Sequence, residues 1–133
     1  MTQEEKMLLI KDLSARLPYA VTVEHTSGFR GTLHNIAIHH MYDNNDDIYD
    51  AICYTDFFGD KDSIYIEFFK PYLFPLSSMT EEQERELTNI TYSNNDDATI
   101  ALLTVDWFNK NHFDYRGLIE KGFALDATGL DIY

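Results

Sequence analysis

The stretch Tyr19-Ala20-Val21-Thr22-Val23-Glu24-His25-Thr26-Ser27-Gly28-Phe29-Arg30-Gly31-Thr32-Leu33 decides how the chain is read. Val21, Thr22 and Val23 are strand formers, Thr26-Ser27-Gly28 supplies a turn, and Phe29 to His40 carries Leu33, Ile36 and Ile38. Two strand patterns joined by a short glycine-bearing turn predict an antiparallel hairpin, the first arm covering 19–25 and the second 29–40. Ser27-Gly28-Phe29-Arg30-Gly31 joins strands and opens no helix, so its glycines belong to a turn and not to a phosphate cradle.

Downstream the β pattern continues. Asp43-Asn44-Asn45-Asp46-Asp47 reads as a loop, because short polar side chains compete with regular structure. Ile48 to Phe58 is rich in strand formers, Gly59 to Asp62 reads as a turn, and Ser63 to Phe69 alternates Ile64, Ile66 and Phe68 against Tyr65, Glu67 and Phe69. The prolines at 71 and 75 cannot donate to a ladder, so residues 70–79 are predicted as an extended crossover.

Helices flank this region. Thr2 and Glu5 form a capping box ahead of Leu9, Ile10, Leu13 and Leu17, and Pro18 ends the pattern, predicting a helix over 2–17. Thr80 and Gln83 form a second box, opening a polar helix to about Tyr92. Asp96 or Asp97 caps a third, from about Ala98 to His112, whose Ile100, Leu103, Trp107 and Phe108 share a face expected to dock on the sheet. Gly122 stops a further turn at Leu118–Lys121, and 123–133 reads as an irregular tail. The fold class is therefore α+β: an N-terminal helix, an antiparallel sheet of four to five strands or a small barrel, and two C-terminal helices. The organisation is one domain over 1–133, with β residues at 19–69, the crossover at 70–79 and a helical region at 80–122.

Charge narrows the functions. The 133 residues hold 23 Asp+Glu and 10 Lys+Arg, a formal net charge of −13. Cations are too few and scattered for direct nucleic-acid binding or for attraction to anionic membranes. The excess is concentrated: 43–62 contribute −6 and 80–97 contribute −5, together 11 of the 13. No apolar run approaches the ~20 residues of a membrane helix. Met1-Thr2-Gln3-Glu4-Glu5-Lys6 is acidic and unlike a signal peptide, so a cytoplasmic location is the expectation. Cys53 is the only cysteine, which excludes an internal disulfide and a cysteine-based zinc site within one chain.

Chemistry-bearing motifs are sparse. His34, His39 and His40 lie near Asp43, Asp46 and Asp47, but adjacent strand residues point to opposite faces, so these read as exposed histidines and no metal site is expected. The two Asn-Asn-Asp-Asp loops, at 44–47 and 94–97, lack the spacing, glycine and distal glutamate of an EF-hand. Cys53 lies in the apolar run Ala51-Ile52-Cys53-Tyr54, without a local base or cation, and reads as structural. No nucleophile elbow, HExxH or catalytic carboxylate pair appears, so neither catalytic residues nor a cofactor are expected. The run Asp106 to Gly117 is the densest mixture of aromatic, histidine and charge. It is the expected site of protein contact, with Trp107, His112, Tyr115 and Arg116 as its residues. The alternative for the same run is a helix end that packs its aromatics inward, with Asp106 or Asp114 pairing Arg116.

Three stretches carry a resemblance: Lys11-Asp12-Leu13-Ser14-Ala15-Arg16-Leu17-Pro18-Tyr19, then Lys70-Pro71-Tyr72-Leu73-Phe74-Pro75 running on to Glu82, then Trp107 to Ile119. They resemble a family of short uncharacterised bacterial proteins, common in gut anaerobes and their phages or mobile elements. Phe74 stands where that family tends to have Arg, and Asn111 where it has His. The resemblance implies a bacterial cytoplasmic protein and no particular activity. The opening helix followed by Val21-Thr22-Val23, Gly28 and Phe29 to Leu33 also resembles the start of an Sm-like or SH3-like barrel. The expected role is a non-enzymatic interaction or accessory protein with a protein partner. An acidic mimic that blocks a nucleic-acid-binding protein is the alternative, and a small enzyme with a site around His34, His39 or His112 the third reading.

Overall fold

The computed structural model describes residues 1–43, 46–57 and 60–133, with side chains at 1–40, 48–56 and 65–133. It is α+β. Helix α1 (Gln3–Arg16) precedes strands β1 (Thr22–His25), β2 (Arg30–Asp43), β3 (Asp46–Phe57), β4 (Asp60–Tyr65) and β5 (Phe69–Pro75). Helices α2 (Glu81–Tyr92) and α3 (Asp97–Lys110) follow, then the two-residue strands β6 (Phe113–Asp114) and β7 (Leu125–Asp126).

The helix starts are those the caps dictate. Thr2 accepts from the Glu5 amide while Glu5 bonds back to Thr2, Thr80 and Gln83 do the same for α2, and Asp96 accepts from Thr99 for α3. Leu9, Ile10 and Leu13 of α1 are buried against Val21, Val23, Leu33, Ala51, Cys53, Ile66, Phe69 and Leu73. Burying each large apolar side chain contributes about 1.5–3 kcal/mol, so α1 is fixed chiefly by this seam.

The strands run in the order β4-β3-β2-β1-β5-β6, with β7 also on β5. Among the described residues this is an open path: β6 does not return to β4, as a closed barrel would require. β2 and β3 form a long antiparallel hairpin from Thr32↔Asp56 to Asp43↔Asp46, with a bulge between Leu33 and Asn35.

Several boundaries differ from the sequence expectation. Residues 17–19 form a 3-10 turn, and Ala20 takes a left-handed conformation (φ 54°), so β1 begins at Thr22 and not at 19. The expected loop at 43–47 shrinks, because the ladder carries Asp43 and Asp46; Asn44 and Asn45 lie outside the described residues. Residues 60–62 of the expected turn belong to β4, while Gly59 lies outside the described residues. The expected strand 63–69 is broken by a 3-10 turn at Ile66–Phe68, which buries Ile66 and redirects the chain into β5. The largest difference is at 70–79. Most of this crossover is strand β5, and the sheet is mixed, because β5 is antiparallel to β1 and parallel to β6 and β7. The prolines fit because each ladder on β5 is short. Pro71 closes the β1 ladder and Pro75 closes the β6 ladder, so neither sits within continuous pairing on both sides. Leu118–Lys121 forms turns in place of a helical turn.

The C-terminal residues are also docked rather than irregular. Ala124 and Ala127 are buried, and the Ala127 amide donates to the Leu73 carbonyl at 2.9 Å. The Tyr133 hydroxyl donates to the Tyr72 carbonyl at 2.7 Å and accepts from the Thr22 amide at 2.9 Å.

Candidate functional site

Residues of α1, β5 and the segment after α3 meet in one place. α1 brings Asp12 and Arg16, β5 brings Phe74, and the segment after α3 brings residues 112–116. Arg16 is fully buried and grips Asp12 with two bonds, Nε at 2.8 Å and Nη2 at 3.1 Å. Its Nη2 also donates to the Phe113 carbonyl at 2.7 Å, fixing α1 to the C-terminal segment. Arg116 approaches the same carboxylate, with Nε 3.4 Å from Asp12 Oδ1. Both guanidiniums lie near the Tyr115 ring, at 5.2 and 5.1 Å from its centroid. One carboxylate thus serves two cations, and an aromatic face supplies further electrostatic attraction.

The rest of the segment faces inward too. His112 is in a left-handed conformation (φ 60°) and gives its carbonyl to the Phe74 amide at 2.8 Å. Its ring stacks on Tyr133 at 3.6 Å. Burial first, and then the charge of Arg16, lower its pKa to about 4, so the imidazole is neutral at pH 7. Asp114 accepts from the Leu118 and Ile119 amides at 2.9 Å each, and fastens the following turn. Tyr115 donates to Asn109 Oδ1 at 2.9 Å and stacks on Phe108. Trp107 stacks on Phe113 and donates from its indole N–H to Glu86 of α2 at 3.1 Å. Of the four residues expected to contact a partner, His112 is buried, and Trp107, Tyr115 and Arg116 are half-buried. They come together as the anchor of the α2–α3 hairpin, and Arg116 pairs with Asp12 where the inward-packing alternative had Asp106 or Asp114.

That hairpin is the exposed element. α2 has no buried residue, and Asn109 is the only buried residue of α3. Ile100, Thr104, Trp107 and Phe108 fall within an arc of about 100°, are half-buried, and face α2 and the segment below, while the buried Asn109 lies on the other side at the C-terminal end of α3. Of the face expected to dock on the sheet, Trp107 and Phe108 pack on Phe113 of β6, whereas Leu103 is exposed. On a second arc of about 100° lie Ala98, Ala101, Leu102 and Val105, all exposed, with Leu102 at 69%. A helix apolar on two sides normally has both covered. This second stripe was readable from residues 98–105 alone, through their i, i+3, i+4, i+7 spacing.

The remaining candidates are separate. His34 pairs with Asp56 on the exposed sheet surface. His39 and His40 border a concavity of about 460 Å³ with Asp50, Ile52, Tyr65 and Glu67, and Lys6 lies within 4.0 Å of both acids. Among the described residues, no three His, Cys, Asp or Glu side chains are placed to hold a metal ion. Cys53 is buried, and burial together with Asp50 pushes its thiol up to about 12. Of the two acidic segments, 80–97 forms α2 and its flanks. The side chains at 43–47 and 57–62 lie outside the described residues. No described helix is long and apolar enough to cross a membrane.

No family model matches the chain, and neither a curated protein nor a solved structure is significantly similar to it.

Proposed function

We propose that this chain is a non-enzymatic protein-interaction module whose docking element is the α2–α3 hairpin. The observation that carries this reading is the second apolar face of α3, with Leu102 at 69% exposure and Val105 beside it at 39%. Burying a leucine is worth roughly 1.5–3 kcal/mol, and the free chain forgoes that on a helix that is otherwise well capped. The base of the hairpin supports the same reading. The Asp12–Arg16–Arg116 cluster, the Trp107–Phe113 stack and the Trp107–Glu86 bond hold the hairpin as a fixed arm. A preorganised surface binds at lower entropic cost than a mobile one. Trp107, His112, Tyr115 and Arg116 then act as positioning residues for the arm.

A photo-crosslinking amino acid at position 102, with a control at exposed Glu120, tests the reading in lysate of the source organism. A discrete protein adduct at 102 and none at 120 is expected. Equal labelling at both positions, or none at 102, overturns it.

A further inference from the structure

Resting on that reading of the arm, we infer that the occupant of the exposed α3 face is an amphipathic helix of a partner protein whose polar side is rich in lysine and arginine. The stripe from Ala98 to Val105 spans about 10 Å along the helix axis, a footprint of two turns. Such a footprint fits anchor residues of a partner helix at i, i+3, i+4 and i+7. Charge selects among such helices. Residues 80–111 carry seven acids and two bases, a net charge of −5. Asp97 and Asp106 lie about 40° outside the two edges of the stripe, so carboxylates border it on both sides. None of the seven acids meets a cation within 4.0 Å among the described residues; Glu86 accepts from Trp107 and Asp96 caps α3. A partner helix with apolar anchors and flanking cations would satisfy the stripe and its border together. A second copy would bring −5 against −5 within a chain of −13. An anionic lipid surface would be repelled in the same way.

Two 18-residue peptides of helical amphipathic pattern, one of leucine and lysine and one of leucine and glutamate, test this on the full chain. Trp107 lies on the opposite side of α3, packed on Phe113, so binding is read from the fluorescence anisotropy of a dye on each peptide. Amide shifts in an NMR titration locate it. The lysine peptide is expected to bind saturably, with shifts confined to α3 and its border. Leu102→Asp should weaken it roughly 10- to 100-fold at unchanged circular dichroism, as expected for losing one buried leucine. Asp106→Lys should weaken it several-fold, and so should raising salt from about 50 to 500 mM, which shortens the screening length.

Equal binding of both peptides, or salt-insensitive binding lost in Leu102→Asp, overturns the charge selection while leaving the arm as a docking element. Lysine-peptide binding unaffected by Leu102→Asp marks unspecific attraction and overturns the inference. Absence of any α3 shift with either peptide overturns it as well, and the crosslink at 102 then decides separately whether the docking reading stands. A dimer in sedimentation that Leu102→Asp makes monomeric, or vesicle binding abolished by that variant, assigns the face to a second copy or a lipid surface and overturns it.

Discussion

Replacing Asp12 by alanine removes the one anion that lies beneath two guanidiniums. The Asp12 and Arg16 side chains are both 0% exposed, and Arg116 reaches the same carboxylate at 3.4 Å. Water cannot take the place of the lost charge unless α1 separates from the segment after α3. Removing one partner of a buried ion pair costs about 3–5 kcal/mol, chiefly because the other charge is left unmatched. With a urea dependence of about 2 kcal/mol per M, the unfolding midpoint should fall by roughly 2 M. Arg16→Met should cost a similar amount, since it leaves Asp12 with only the 3.4 Å approach of Arg116 and strands the Phe113 carbonyl. The double variant Asp12→Leu/Arg16→Met fills the same space with apolar groups and leaves Arg116, which is 31% exposed, free to turn outward. It should recover most of the loss, to within about 1–3 kcal/mol of the wild type, the remainder being the Phe113 carbonyl that has lost its donor. Urea unfolding followed by Trp107 fluorescence at pH 7 measures all four proteins. A midpoint shift below about 0.5 M for Asp12→Ala, or a double variant as unstable as the two singles summed, refutes the reasoning.

Other consequences can be measured in the same way. His112 has its pKa lowered from 6.5 to about 4, so between those values the unfolded chain binds a proton that the folded chain does not. Its contribution is therefore complete above pH 6.5 and is lost as pH falls toward 4, to a total of about 3 kcal/mol. Between pH 7 and pH 5 the wild type should lose about 2 kcal/mol more than His112→Gln in paired urea titrations. Cys53, buried and with its thiol near 12, should resist a thiol reagent at pH 8 in the folded protein and react at once in denaturant. Rapid native reaction would mean that the β3 face opens. Tyr133→Phe leaves the Thr22 amide and the Tyr72 carbonyl without that hydroxyl, and should cost about 1–2 kcal/mol, read as a lowered Tm. An unchanged Tm would mean that the last residues do not seal this edge.

What the sequence discloses follows the range of each interaction. Caps are local events, so Thr2 with Glu5, Thr80 with Gln83, and Asp96 place three helix starts correctly. The α1 seam is equally legible, because Leu9, Ile10 and Leu13 repeat at helical spacing beside a hairpin of β-branched residues. The prolines of β5 mislead, because their exclusion from sheets assumes long ladders, and here each ladder covers two or three residues. Asp12 and Arg16 are an ordinary i, i+4 pair by spacing. Their burial depends on Phe113, 97 residues beyond Arg16, which no local pattern announces. The aromatic run from Trp107 to Arg116 marks a place of dense contact, but composition does not say that the contacts point inward. The surface they leave outward is Leu102 and Val105, a stripe hidden in a helix whose other face also reads as apolar.

The parallel seam on β5 imposes an order on folding. The β1–β2, β2–β3 and β3–β4 pairs are hairpins between consecutive strands, whereas Phe74↔Phe113 and Tyr72↔Leu125 close across 39 and 53 residues. Loop-closure entropy makes such contacts form late. During synthesis α1 precedes the strands and helices it packs with, and its buried arginine receives the Phe113 carbonyl only after the whole helical hairpin has been translated. Until then α1 carries a charged face that the strands following it do not cover, and a segment 97 residues further along completes it.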